Sequence, residues 1–77
     1  MSEVVAESVQ TQSDGSLWAV TVQTVDEGDF GFEVESQVKD PGSMFWKSLD
    51  VVGPFKRLAE AVEAAERLYR GHKLLLV

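Results

Sequence analysis

Residues 4–25, VVAESVQTQSDGSLWAVTVQTV, decide the fold because they encode two strands and the turn that joins them. Residues 4–12 and 17–25 are rich in Val and Thr, which favour strands. Between them, Asp14-Gly15 is a favoured two-residue hairpin loop, since both of its positions require positive φ. This stretch therefore predicts an antiparallel hairpin.

The two-residue loop also predicts which side chains share a face. It pairs Val9 with Val20, and the same register places Thr11 opposite Trp18 and Glu7 opposite Val22. The apolar face of the hairpin then consists of Val5, Val9, Trp18, Val20 and Val22. Turn chemistry and hydrophobic pattern agree, which is expected of a real hairpin.

A third strand is predicted over residues 30–38, where apolar and polar side chains alternate. A three-residue loop over residues 26–28 would place Gly28 at the left-handed position of a bulged turn. In that register Val22 pairs with Phe32, so the inner faces of the second and third strands match.

A fourth strand is predicted over residues 44–52, between a turn at residues 40–43 and the Gly53-Pro54 pair that would end it. A loop of only Pro41 and Gly42 would point Phe45, Leu49 and Val51 inward and Met44 and Trp46 outward. A loop one residue longer would reverse these faces. The sequence leaves both arrangements open.

A helix is predicted over residues 57–70 because its apolar residues form a single stripe. The stripe consists of Leu58, Ala61, Val62, Ala65, Leu68 and Tyr69. Gly71 is a natural stop for this helix.

The segment after the helix ends in four apolar residues, Leu74, Leu75, Leu76 and Val77. They could form a short final strand, or a tail that packs on the helix or on a second subunit. Because a run of exposed leucines is unfavourable, we expect it to be covered.

Together these elements predict one α+β domain over residues 1–77: a four-stranded antiparallel meander with a C-terminal helix on one face. The short final strand is an open addition to this fold. The predicted core consists of Val5, Val9, Trp18, Val20, Val22, Phe30, Phe32, Val34, Leu49, Val51, Phe55, Leu58, Val62, Ala65 and Leu68.

The charge of the chain is acidic and unevenly distributed. Thirteen acidic residues face seven basic ones for a net charge of −6, and no Lys or Arg precedes Lys39. This balance argues against general nucleic-acid binding, which depends on Lys and Arg at phosphates. It suits either solubility or electrostatic binding of a partner. No stretch approaches the roughly 20 apolar residues of a membrane helix, and no secretory signal is recognisable, so we expect a cytoplasmic protein.

Catalytic chemistry has few candidate residues. The chain has no Cys, and its single histidine, His72, follows the helix end, where we expect a solvated side chain. No metal-ligand spacing or phosphate-binding loop is present. We therefore predict that the protein is not an enzyme and has no catalytic residue, cofactor or metal ion.

The sheet face that the helix leaves uncovered is the predicted binding surface. Its predicted members are Glu33, Glu35, Met44, Trp46 and Asp50. An exposed Trp and Met inside an acidic rim are typical of protein-binding patches, although Trp46 could instead lie in the core. The leading hypothesis is a small acidic protein that masks a basic or nucleic-acid-binding surface of another protein, as phage-encoded antagonists and accessory regulators do.

Two other hypotheses remain. A homo-oligomeric scaffold, such as a homodimer, could assemble through Leu74, Leu75, Leu76 and Val77 and a free strand edge. A weak nucleic-acid binder could use the basic spots at the helix ends, such as Lys56 and Arg57.

Overall fold

The computed structural model describes residues 3–25 and 31–77, and it confirms the predicted α+β fold. The elements are β1 (Val4–Thr11), β2 (Leu17–Val25), β3 (Gly31–Lys39), β4 (Lys47–Phe55), α1 (Leu58–Leu68) and β5 (Leu75–Leu76). The strands form one sheet in the order β4-β3-β2-β1-β5, with every neighbouring pair antiparallel. The short final strand, which the sequence left as one of two possibilities, is present as β5.

The turn between β1 and β2 has three residues rather than the predicted two. The Gln12 N–H donates to the Ser16 carbonyl at 2.8 Å, and the Gly15 N–H donates to the Gln12 carbonyl at 3.0 Å. Of the three turn residues, only Gly15 has positive φ, at +90°, so Asp14 does not adopt the conformation that the two-residue loop needs. Instead, Asp14 Oδ1 accepts hydrogen bonds from the Ser16 N–H and hydroxyl, which hold the pKa of Asp14 below its usual value.

This extra loop residue moves the side chains of residues 6–11 to the opposite face, whereas the bulge between Val4 and Ala6 leaves Val5 packed against the core. Ser8 pairs with Val20, whereas Val9 pairs with Ala19 and is 51% exposed on the side away from the helix. The prediction that Val9 packs in the core is therefore wrong, because a shift of one residue reverses the two faces of a strand. The predicted burial of Val20 and Val22 is confirmed.

The pairing of β2 with β3 differs from the prediction by two residues. Val22 lies opposite Val34 rather than Phe32, which lies opposite Thr24. A shift of two residues keeps each side chain on its predicted face, so Val34 is buried as expected. The predicted turn at residues 26–28 and the predicted core residue Phe30 lie outside the described residues.

The connection from β3 to β4 is longer than the predicted turn of Pro41 and Gly42. The first residue of β4, Lys47, lies opposite Val38, and its Nζ is 3.0 Å from the Asp40 carboxylate across the connection. Phe45, which a two-residue loop would point inward, lies in this connection and is exposed.

The longer connection changes the faces of β4. Val51 lies opposite Glu35, on the side away from the helix, and Leu49 lies where the pairing shifts between Ser36 and Gln37. Both side chains are exposed, so their predicted core positions are wrong.

The predicted end of the fourth strand at Gly53-Pro54 is also wrong. β4 continues to Phe55, which pairs with Phe32, because a bulge accommodates Gly53 and Pro54. The peptide between these two residues is cis, and Gly53 has a φ of +131°. A Cβ atom at Gly53 would lie 3.0 Å from the carbonyl oxygen of Phe32. Any residue with a Cβ atom would therefore be strained at this bulge.

Helix α1 packs on the side of the sheet that Val20, Val22 and Val34 face. Its buried residues are Ala61, Ala64 and Ala65, whose small side chains allow a close approach to the sheet. The core is completed by Ala6 and Leu74 and flanked by Val5, Trp18, Phe32, Phe55, Leu58, Val62 and Tyr69. Leu68, the last residue of α1, is exposed, so its predicted core position is wrong.

The C-terminal segment returns along β1 after the helix. Leu76 pairs with Ala6 and Leu75 with Glu7, and the Leu74 N–H donates to Glu66 Oε2 at 3.0 Å. Leu74 is buried in the core, whereas Leu75, Leu76 and Val77 are exposed. Among the four tail residues, the described part of the chain therefore supplies the predicted cover only for Leu74.

Candidate protein-binding surface

The sheet face opposite α1, which we call the open face, is organised around one row of cross-strand neighbours. The pairings place Leu75, Glu7, Thr21, Glu35 and Val51 side by side from β5 to β4. Thr21 at the centre is buried, and its hydroxyl has no hydrogen-bond partner among residues 3–25 and 31–77. The row therefore has an acidic middle and an exposed apolar residue at each end.

The neighbouring rows of the open face add another acidic residue and another exposed apolar residue. Glu33, opposite Gln23, adds a third carboxylate to the open face. Ala19 lies between Val9 and Gln37, and Gln37 Nε2 donates to Glu35 Oε1 at 2.8 Å. Because long side chains at the surface cost entropy to fix, this bond gives Glu35 a more defined position than a free glutamate has.

Of the five residues predicted to share a binding surface, Glu33 and Glu35 lie together on the open face. Asp50 does not join them, because the register places it opposite Ser36, on the helix side. There Asp50 Oδ2 accepts a hydrogen bond from the Tyr69 hydroxyl at 3.4 Å. Burial and the nearby Asp50 carboxylate raise the pKa of Tyr69.

Met44 and Trp46 lie in the connection that precedes β4, and they are exposed together with Phe45. Met44 is 85% exposed and Trp46 is 40% exposed. Trp46 is therefore outside the core, which answers the alternative that the sequence left open. The tryptophan that packs against the core is Trp18, whose Nε1 donates to Ser36 Oγ at 2.8 Å.

His72 is buried, which contradicts the prediction of a solvated side chain. It is only 2% exposed, and its Nδ1 lies 2.9 Å from Ser8 Oγ. The ring packs edge-on against Trp18 at a centroid distance of 4.3 Å, and no described residue offers Nε2 a hydrogen bond. Burial lowers the pKa of His72. Sequence reasoning missed this contact because it depends on Ser8 facing the helix side.

This burial predicts that the protein becomes less stable in mild acid. The folded-state pKa of His72 is below its usual value near 6.5, so the unfolded chain takes up a proton first as the pH falls. His72 therefore leaves stability intact above about pH 6.5 and reduces it as the pH falls toward about 5. Urea unfolding across this range, beside a nuclear magnetic resonance titration of the ring, would measure the effect.

The matched control for this prediction is His72→Asn, which cannot titrate in the same range. Its free energy of unfolding should change less than that of the wild type between about pH 7 and about pH 5. A His72 ring that titrates above its usual pKa in the folded protein would contradict the prediction.

Residues 3–25 and 31–77 were compared with the requirements of a metal site and of a membrane-spanning helix. Within these ranges, no three His, Cys, Asp or Glu side chains are grouped so that they could hold a metal ion. The helix in the described chain lacks the length and apolar character needed to cross a membrane.

Fold and surface together describe a small antiparallel sheet with a helix on one side and an acidic, partly apolar face on the other. Comparisons with protein-family models, curated proteins and solved structures found no match.

Proposed function

We propose that this protein is a non-enzymatic binding module whose open face binds and masks a basic surface of a partner protein. The observation that carries the proposal is the grouping of Glu7, Glu33 and Glu35 on the sheet face opposite the helix. Exposed Val9 and Val51 lie on the same face.

Charge complementarity supports a basic partner. The carboxylates of the open face would attract Lys and Arg side chains and increase the rate of association. The net charge of −6 adds a longer-range attraction that salt would screen. Lys39, opposite Leu17 at the far end of β3, is the basic residue that the strand register places on this face among the described residues.

Exposed apolar side chains would supply the contact area. Covering the exposed parts of Val9 and Val51 would contribute about 1 kcal/mol each. Trp46 is the proposed anchor, since tryptophan is enriched among the residues that dominate binding energy. Phe45 and Met44, exposed beside it, would enlarge the same apolar contact.

The test compares two triple variants that have the same net charge. Glu7→Gln, Glu33→Gln and Glu35→Gln neutralise the open face, whereas Glu3→Gln, Glu60→Gln and Glu63→Gln neutralise exposed glutamates elsewhere. Tagged wild type and both variants would capture proteins from the source cell's lysate at low and moderate salt, with quantitative mass spectrometry of the eluates.

We expect one basic protein to be retained by the wild type and by the control variant, and about tenfold less of it by the open-face variant. The complex of the wild type should weaken as salt rises. Equal retention by the two variants, or a complex that salt does not weaken, would contradict the proposal.

A further inference from the structure

The outer edge of β5 is a free sheet edge made of apolar residues. Among the described strands β5 pairs only with β1, and the Val77 N–H donates to the Val5 carbonyl at 3.0 Å. Because backbone groups alternate in direction along a strand, the N–H and C=O of Leu76 point away from β1. The Leu76 side chain is 71% exposed. This edge therefore offers both a backbone donor and acceptor and an apolar surface.

A groove lies on each side of this edge. On the helix side, a groove of about 600 Å³ is lined by residues that include Leu58, Val62 and Leu76. On the open-face side, a groove of about 450 Å³ is lined by residues that include Val9 and Val77. A strand added to β5 would place alternate side chains in the two grooves, which is how sheet edges bind extended segments.

We propose that β5 of a second copy occupies this edge, antiparallel to the first and related to it by a two-fold axis at Leu76. The backbone N–H and C=O of Leu76 then bond to the same groups of the other copy. On the helix side Leu76 faces its own counterpart, since it pairs with Ala6 within the chain. On the other side Leu75 faces Val77 of the second copy.

The apolar tail is complementary to itself, which favours a second copy of the chain as the occupant of this edge. A two-fold contact must match a surface to itself, and here each exposed apolar residue of the tail meets another apolar residue. The same contact covers Leu75, Leu76 and Val77, which the chain itself leaves exposed. No covering of this kind is available to the tail within the described residues.

The size and charge of the contact determine its strength. One short strand and its two grooves form a small contact beside the roughly 800 Å² per partner of a standard interface, so we expect a weak and reversible dimer. Each copy carries a net charge of −6, so the two copies repel at low salt. Dimerisation therefore strengthens with salt, whereas binding of a basic partner weakens.

The decisive experiment uses Leu76→Cys, because the chain has no cysteine of its own. In the proposed register the two Cα atoms at this position are about 5.5 Å apart, which suits a disulfide. Under mild oxidation we expect a covalent dimer at least tenfold faster than for Val51→Cys, a matched exposed position on β4 at the opposite edge. Equal rates for the two variants would overturn the proposal.

Sedimentation of the unmodified chain supplies a second measurement. The wild type should show a reversible monomer–dimer equilibrium that higher salt favours, and Leu76→Lys should be monomeric with an unchanged unfolding midpoint. A wild type that remains monomeric at millimolar concentration overturns the proposal. So does a dimer that persists in Leu76→Lys.

Discussion

Replacing Val22 with alanine is expected to lower the free energy of unfolding by about 2–3 kcal/mol. Val22 is fully buried, lies between Ala6 and Val34 in the sheet, and packs in the core beneath Ala61 and Ala65. Truncation would leave a cavity that the surrounding backbone cannot close, in addition to the lost burial. Because small domains are stable by only about 5–10 kcal/mol, this is a large share of the total.

The matched control is Val9→Ala, in the adjacent strand. Val9 is half-exposed on the open face, so its truncation should cost less than about 1 kcal/mol. Urea denaturation of the wild type and both variants would measure the two losses. A loss for Val9→Ala as large as that for Val22→Ala would support the two-residue hairpin register, in which Val9 packs against Val20, and would contradict the register described above.

Replacing Gly53 with alanine is expected to cost about 3 kcal/mol. The new methyl group would lie 3.0 Å from the Phe32 carbonyl oxygen, a backbone atom that cannot move without disturbing β3. A φ of +131° is also a conformation that residues with a Cβ rarely adopt, and such strain alone costs about 1–3 kcal/mol. Both effects act at the bulge that lets β4 continue to Phe55.

Gly42→Ala is the control for this prediction. Gly42 also has positive φ, at +77°, but a Cβ atom there would meet no atom of the described residues within 4 Å. Its replacement should therefore cost only the conformational strain, about 1 kcal/mol. The free energies of unfolding of both variants, from thermal or urea denaturation, would separate the cost of backbone strain from that of the steric clash with Phe32. Equal losses would show that the contact with Phe32 has no effect on stability.

The candidate surface was predicted only in part. Glu33 and Glu35 were expected on one face because alternate residues of a strand point the same way, which requires no knowledge of any partner strand. Asp50 needed the register between β3 and β4, and this depends on the length of the connection. Glu7 was missed because the predicted hairpin register placed it opposite Val22 instead of Thr21. Its position on the open face follows from the three-residue turn.

The sequence by itself determined the type and order of the first four strands and the helix, and it left β5 open. Alternation along β3, the apolar stripe of α1 and the turn residues between strands are local signals, and each acts through the conformational preferences of a few neighbouring residues. The faces of β2 and β3 were also predicted correctly, since Val20, Val22 and Val34 are all buried on the helix side.

Only the tertiary structure decided which faces of β1 and β4 pack against the helix. One residue more or less in a turn reverses a whole strand, and the free energies of the alternative turns differ too little to be distinguished locally. The burial of Ala6, the contact of Ser8 with His72 and the burial of His72 beside Trp18 depend on that choice. Close packing of α1 against the sheet through Ala61 and Ala65 favours small β1 side chains on the helix side and leaves Val9 on the open face.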